Sequence, residues 1–188
     1  MASFRVALDT ETGGINPAEH SLLELALVVM DDRGTILTEY NAEVQPKDGL
    51  YRIAPKALEI NQIDLRTHAA EAMPAEQVAQ QAQAFLAPFR ASGPLILVGW
   101  NVNFDRGFLQ HQLLGFEGVA RLFGYRTLDL HAVMAFLADA NRMPYTKSLE
   151  ATAEFFGLLD GGEKQEHRAL ADTRLTAQVY REMLRFLG

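Results

Sequence analysis

The sequence predicts an α/β fold, a mixed sheet flanked by helices, and three observations predict it. Three strand-like runs follow one another near the start, a fourth apolar run lies near the middle, and most of the remainder has helical period. Strands are expected over 4–9, 22–30 and 35–45, where short apolar or alternating runs are separated by polar turns such as Asp31-Asp32-Arg33-Gly34. A short helix is expected over 55–61, after Pro55. Over 75–90 the residues Val78, Ala79, Ala82, Phe85, Leu86 and Phe89 recur at helical spacing. Leu95–Val98 reads as a buried strand between Gly93-Pro94 and Gly99. Helices then dominate, at roughly 104–114, 129–140, 148–156 and 169–186, with Gly161-Gly162 marking a flexible approach to the last of them.

The chain has 188 residues, with no repeat, low-complexity tract or linker that would divide it, so one domain over 1–188 is expected. Apolar residues make up 48% and charged residues 22%, an ordinary globular balance that excludes a disordered chain. Cysteine is absent, which excludes disulfides and thiolate metal sites and fits a reducing, cytoplasmic setting. No signal peptide and no membrane span are visible. With 17 Lys and Arg against 24 Asp and Glu, the net charge of −7 argues against gripping nucleic acid by bulk positive charge. Nucleic acid held locally through bound cations stays open.

The acids are arranged in three places. Asp9 and Glu11 are two apart at the end of the first strand, a spacing that aims both to one face and Thr10 to the other. Gly13-Gly14 and Pro17 turn the chain directly after them. In "LVGWNVNFDRGFL", 97–109, a buried strand runs into a helix with Asp105 in or near its first turn, where the helix dipole favours an acid. Phe104 and Phe108, four apart, would anchor that helix by one apolar face. In "EHRALADTRLTAQVYREML", 166–184, Asp172 sits on an amphipathic helix whose apolar residues include Leu175, Val179 and Leu184. His167, five residues earlier, would not share a helical face with Asp172, so the two can meet only if His167 lies on the entering loop. Taken singly, each acid could be a solvated strand end or a helix-terminal charge.

The joint pattern, D-x-E at a strand end, N-x-x-F-D at a helix start and H-x-x-x-x-D opening the last helix, resembles the DnaQ-like 3′→5′ exonucleases of the DEDDh type over nearly the whole chain. That resemblance implies a ribonuclease H-like fold with a mixed five-stranded sheet. It implies that Asp9, Glu11, Asp105 and Asp172 are catalytic, metal-binding acids and that His167 is the general base. Two Mg²⁺ or Mn²⁺ ions are then the expected cofactors, ~3.5–4 Å apart, one holding the nucleophile and the other the leaving group. Hard ions suit clustered carboxylates, and no His/Cys cluster suggests zinc. Asp9 would bridge both ions, Glu11 and Asp172 complete the first, and Asp105 support the second. Glu24 in "LLELA" and Asp129 in "TLDL" also fall in family-like segments and are assigned no ligand role. His20 and His68 are placed in loops and His111 and His131 in helices, without function.

Within the family, "GGINPAEHSLLELALV" and "IAPKALEINQID" are most similar to ribonuclease T and to polymerase III epsilon-type proofreading relatives. The resemblance implies substrate contacts at Thr10, Thr12, Gly13, Ile15, Ile60, Phe104 and Tyr125. Ile15, Ile60, Phe104 and Tyr125 match the positions where ribonuclease T stacks aromatic rings, and two of the four are aliphatic here. Base stacking is worth ~1–3 kcal/mol per base, so terminal-base preference should be weaker. Trp100 replaces the family's usual His and is expected to be buried beside its strand.

The function expected is metal-dependent removal of nucleoside 5′-monophosphates from single-stranded 3′ ends, DNA or RNA, with no membrane partner. The rival is a proofreading or repair subunit that mainly docks on a polymerase or helicase. The last helix reaches Leu187 with no tail for docking, which favours a free-standing enzyme. A homodimer is implied only through the ribonuclease T-like relatives. An idle scaffold is disfavoured because all five catalytic positions hold the expected residue types.

Overall fold

A computed structural model of the protein describes residues 4–91, 93–159 and 168–187. Its strands are β1 (Arg5–Thr12), β2 (Leu22–Met30), β3 (Ile36–Gln45), β4 (Met73–Pro74), β5 (Ile96–Gly99) and β6 (Thr127–Asp129). Its helices are α1 (Pro55–Asn61), α2 (Leu65–Glu71), α3 (Ala75–Leu86), α4 (Val102–Phe108), α5 (Gly115–Phe123), α6 (Leu130–Asp139), α7 (Leu149–Phe155) and α8 (Ala169–Leu187). The sheet order is β4-β3-β2-β1-β5-β6. β1, β2 and β3 form an antiparallel meander, whereas β5 runs parallel to β1 and β6 parallel to β5.

The sheet is therefore mixed, as expected, and has six strands among the described residues where five were expected. β4 spans two residues and β6 three, too short for any alternation to show in the sequence. The short helices α2 and α5 were also not anticipated, and the segment expected as one helix over 104–114 is α4 continued by a π-helical turn at Leu109–Leu113.

Side-chain alternation divides the core between the two faces of the sheet. Val6, Leu8, Leu25, Leu27, Val29 and Leu97 pack with Val78, Val102, Phe108 and Val119 of α3, α4 and α5. Ala7, Val28, Met30 and Val98 pack with Met134, Ala153, Leu175 and Val179 of α6, α7 and α8. Every residue of β2 is buried, which its nearly unbroken apolar run Leu22–Met30 reflects. Continuing the alternation, Asp9 and Glu11 lie on the α8 side of β1, and Thr10 lies on the α4 side.

The parallel pairing of β1 with β5 positions the site. Arg5, Val6 and Ala7 pair with Ile96, Leu97 and Val98, so β5 ends beside Leu8 and leaves the last residues of β1 beyond it. α4 fills that space, and Gly99 permits it. A Cβ there would stand 2.8 Å from Val102 Cβ and 3.2 Å from the Leu8 carbonyl oxygen. Asn101 makes the turn into α4 in the left-handed region, at φ 59°. No helix among the described residues is long and apolar enough to cross a membrane.

Candidate active site

Asp9, Glu11 and Asp172 each present a carboxylate oxygen to one small space, and these atoms lie within 4.8 Å of one another. Two elements supply them. β1 carries Asp9 and Glu11 on its α8 side, and the first turn of α8 carries Asp172 across from them. Asp105 lies outside this trio, in the first turn of α4, where it is buried. Its Oδ1 accepts a 2.7 Å hydrogen bond from Thr10 Oγ1. Thr10 thus ties the acid of α4 to the strand that carries the other two, from the opposite face of β1.

The electrostatics follow from putting several acids in a partly dry place. Burial raises the Asp9 carboxyl well above the usual range, and the charges of Asp105, Asp172, Glu11 and Glu24 push it the same way. Burial, Asp172 and Glu24 raise Glu11 to about 8, against a pull downward from Arg168. Asp105 is pushed up to about 7 by burial, opposed by the Thr10 hydrogen bond. Acids in this state repel one another unless protons or cations intervene.

That charge pattern fits divalent metal. Three hard oxygen donors converge within a few ångströms, Asp9 and Glu11 are disfavoured as bare anions by burial and by their acidic neighbours, and a doubly charged cation would offset that repulsion. Asp9, Glu11 and Asp172 would hold it, with Asp105 next to them and bonded to Thr10.

The residues expected to contact substrate fall into three groups. Thr10, Thr12 and Gly13 are buried. Thr12 Oγ1 donates to the Gly14 carbonyl at 2.8 Å, and Asn61 Nδ2 donates to the Thr12 carbonyl at 3.1 Å. Gly13 donates its N–H to the Ser21 carbonyl and accepts from the Ala54 N–H, and a Cβ there would meet Arg52 O at 2.4 Å. Thr12 and Gly13 therefore bind the loop to its neighbours, while Thr10 bonds to Asp105. Ile15, Ile60 and Tyr125 are exposed, at 85%, 49% and 80%. Each is fastened near an acid-bearing element. Gln112 donates to the Pro17 carbonyl at 2.7 Å and holds the Ile15 loop to the segment after α4. Ile60 precedes Asn61, which bonds to the end of β1, and Arg106 donates to the carbonyls of Gly124 and Tyr125. Phe104 instead packs half-buried on the core, its ring 5.1 Å from that of Phe108.

His167, the expected general base, lies outside the described residues, as does the Gly161-Gly162 pair. Trp100 is half-buried on the α8-side core, its ring 5.2 Å from that of His131. His68 corrects an expectation. It lies on α2 rather than in a loop, buried, with Nε2 2.8 Å from the Leu23 carbonyl and Nδ1 2.9 Å from Tyr51 Oη. Asp129 caps α6 by accepting from the His131 N–H, and also accepts from the Asn101 N–H, both at 3.0 Å. Glu24, given no role from sequence, is paired with Glu11 across β1 and β2 and is only 1% exposed. Its importance was hidden because cross-strand register is invisible until the strands are paired.

Comparison with known proteins places the chain in a family and matches its fold. The family model RNase T, described as exonuclease, matches residues 6–180. A PolC-type DNA polymerase III of Thermotoga petrophila is 30% identical over 186 residues, which is 97% of this chain and 12% of that protein. An exonuclease I from Methylocaldum szegediense superposes with a TM-score of 0.75 at 21% identity, over 97% of this chain and 40% of that one. E. coli exonuclease I in complex with a dA16 oligonucleotide superposes with a TM-score of 0.72 at 18% identity, over 95% of this chain and 40% of that one. The chain thus spans well under half the length of these relatives.

Proposed function

The chain belongs to the RNase T exonuclease family, whose members use divalent metals, and from that premise we propose that it is a two-metal 3′→5′ exonuclease releasing nucleoside 5′-monophosphates from single-stranded ends. One observation carries the reading: carboxylates from β1 and α8, far apart in sequence, converge within 4.8 Å. Divalent ions bound there supply an activated water, a neutralised phosphate and a stabilised leaving oxygen. The protein's own part is to hold the ligands. Asp9 and Glu11 are fixed by the strand, Asp172 by the first turn of α8, and Asp105 by Thr10. Accepting the proton of the attacking water falls to His167 on the resemblance of "HRALAD" to the family motif. The exposed Ile15, Ile60 and Tyr125 give terminal bases apolar surfaces beside the acids. The oligonucleotide bound by the similar exonuclease I supports a single-stranded substrate.

Single-stranded DNA and RNA labelled at either end, incubated with and without Mg²⁺ or Mn²⁺, test this through product ladders. Stepwise loss of mononucleotides from the 3′ end, abolished by chelation, is expected. Asp9→Asn should remove activity, and His167→Ala should lower the rate roughly 10²–10⁴-fold while Mn²⁺ still binds. Ladders from the 5′ end, or a fully active Asp9→Asn protein, would refute the reading.

A second reading has its own support. The match to one part of a PolC-type polymerase favours a proofreading module that works beside a polymerase active site. Stoichiometric co-purification with a polymerase, and stimulation by mispaired primer ends, would raise it above the free-standing enzyme.

A further inference from the structure

Glu24 and Arg168 stand outside the acid trio and yet connect two of its members. Glu24 lies opposite Glu11 on β2, and Glu43 lies opposite Glu24 on β3, so three glutamates form one row across the sheet. Arg168 reaches over this row from the residue before α8. Its Nε is 3.5 Å from Glu24 Oε2, and its Nη2 is 3.3 Å from Glu43 Oε1. Glu24 Oε1 is occupied by Asn41 Nδ2 at 3.0 Å, while Glu24 Oε2 is buried and makes no hydrogen bond among the described residues. Arg168 is therefore the cation facing that buried oxygen. At its other end, the Arg168 carbonyl accepts the backbone N–H of Asp172 at 3.1 Å.

These contacts close a ring. Glu11 is registered against Glu24, Glu24 pairs with Arg168, Arg168 holds Asp172 through the backbone, and Asp172 returns to Glu11 within the carboxylate trio. We propose that Arg168 is a positioning residue that clamps the start of α8 onto Glu24 and Glu43 and so sets Asp172 opposite Asp9 and Glu11 for metal binding. The inference rests on the metal reading of the trio.

The clamp gains its leverage from burial. The Glu24 side chain is 1% exposed and that of Arg168 45%, so the carboxylate is the buried half of the pair, and removing Arg168 leaves it without this cation. The planar guanidinium can serve two carboxylates at once, which an ammonium group cannot do in the same geometry. Further along α8, Arg174 pairs with Glu39 of β3, so the helix is held to the same strand at a second point.

Charge and position make opposite predictions, which gives the test its power. Through direct repulsion alone, Arg168 would oppose a divalent cation, and above pH 8, where its pull on the Glu11 proton no longer enters, its removal would tighten binding. As a clamp, its removal would weaken binding, because Asp172 is no longer held. Mn²⁺ binding to the full chain, read by calorimetry and by electron paramagnetic resonance, separates the two. Arg168→Gln should weaken Mn²⁺ binding about tenfold, a coupling of the size seen between contacting residues. Arg168→Lys should fall between wild type and Arg168→Gln. Glu24→Gln should also weaken binding, and adding Arg168→Gln to it should cost less than Arg168→Gln costs alone, since the Glu24 link is then already broken and only the Glu43 link is lost. Far-ultraviolet circular dichroism checks that each variant is folded, and Arg168→Lys supplies a reading if Arg168→Gln is not. Unchanged or tighter Mn²⁺ binding in Arg168→Gln, or fully additive losses in the double variant, would overturn the clamp and leave the metal reading standing. A wild-type chain that binds no Mn²⁺ would overturn the metal reading itself, and the clamp with it.

Discussion

Glu11 concentrates the energetic problem of the site in one side chain. It is buried, it faces Asp172 and Glu24, and its carboxyl is held up to about 8 against an ordinary value of 4.5. The folded chain therefore keeps a proton that the unfolded chain releases between these values. With more protons bound in the folded state, stability declines as pH rises through that window. The stabilising contribution is complete below pH 4.5 and lost by about pH 8. Asp105, raised from 3.8 to about 7, adds to the same slope. Thermal melts of chelated protein from pH 4.5 to 8 should show a falling midpoint, and Glu11→Gln should flatten the slope. Saturating Mn²⁺ should restore stability most at the alkaline end, because the cation needs the deprotonated acids. A midpoint that climbs with pH in chelated protein would contradict the buried-acid account.

At the scale of elements, the site depends on how β5 hands over to α4. Gly99 is the last residue of β5, and any side chain there would press on Val102 and on the backbone of β1. Gly99→Ala should cost ~1–3 kcal/mol, the usual penalty for an overpacked contact. Because the strain falls on the first turn of α4, Asp105 should shift with it and activity should drop further than stability. Urea unfolding beside a hydrolysis assay measures both, and an alanine variant of wild-type stability would remove the close-approach argument. The same junction shows what the sequence could and could not convey. Glycine at a strand end, Asp105 four residues after Asn101 and the Phe104–Phe108 spacing were all readable, because they are local. So were the long strands and the helix that carries Asp172. The two- and three-residue strands β4 and β6 were not, since they exist only by pairing with β3 and β5. Thr10 was read as facing away from Asp9 and Glu11, which the alternation supports, but that it would meet Asp105 was not. The row Glu11–Glu24–Glu43 escaped for the same reason: register between strands is a tertiary fact.

The whole molecule carries a net charge of −7, so its overall field opposes the approach of nucleic acid. Many of its arginines are already engaged with acids: Arg52 with Asp48, Arg168 with Glu24 and Glu43, Arg174 with Glu39, and Arg185 with Glu182. On the proposed function, capture of a 3′ end then rests on short-range contacts, namely cations in the acid trio and bases laid on Ile15, Ile60 and Tyr125. Such terms release few counterions. A protein relying on 6–10 phosphate contacts loses ~10³–10⁵ in affinity between 50 and 200 mM salt, whereas this chain should change by less than about tenfold over that range. The measurement is KM for a single-stranded oligonucleotide at fixed saturating Mn²⁺ across a monovalent salt series. A steep slope would mean that phosphates are gripped by a basic surface after all, and would move the recognition of substrate away from the metal site and its apolar margin.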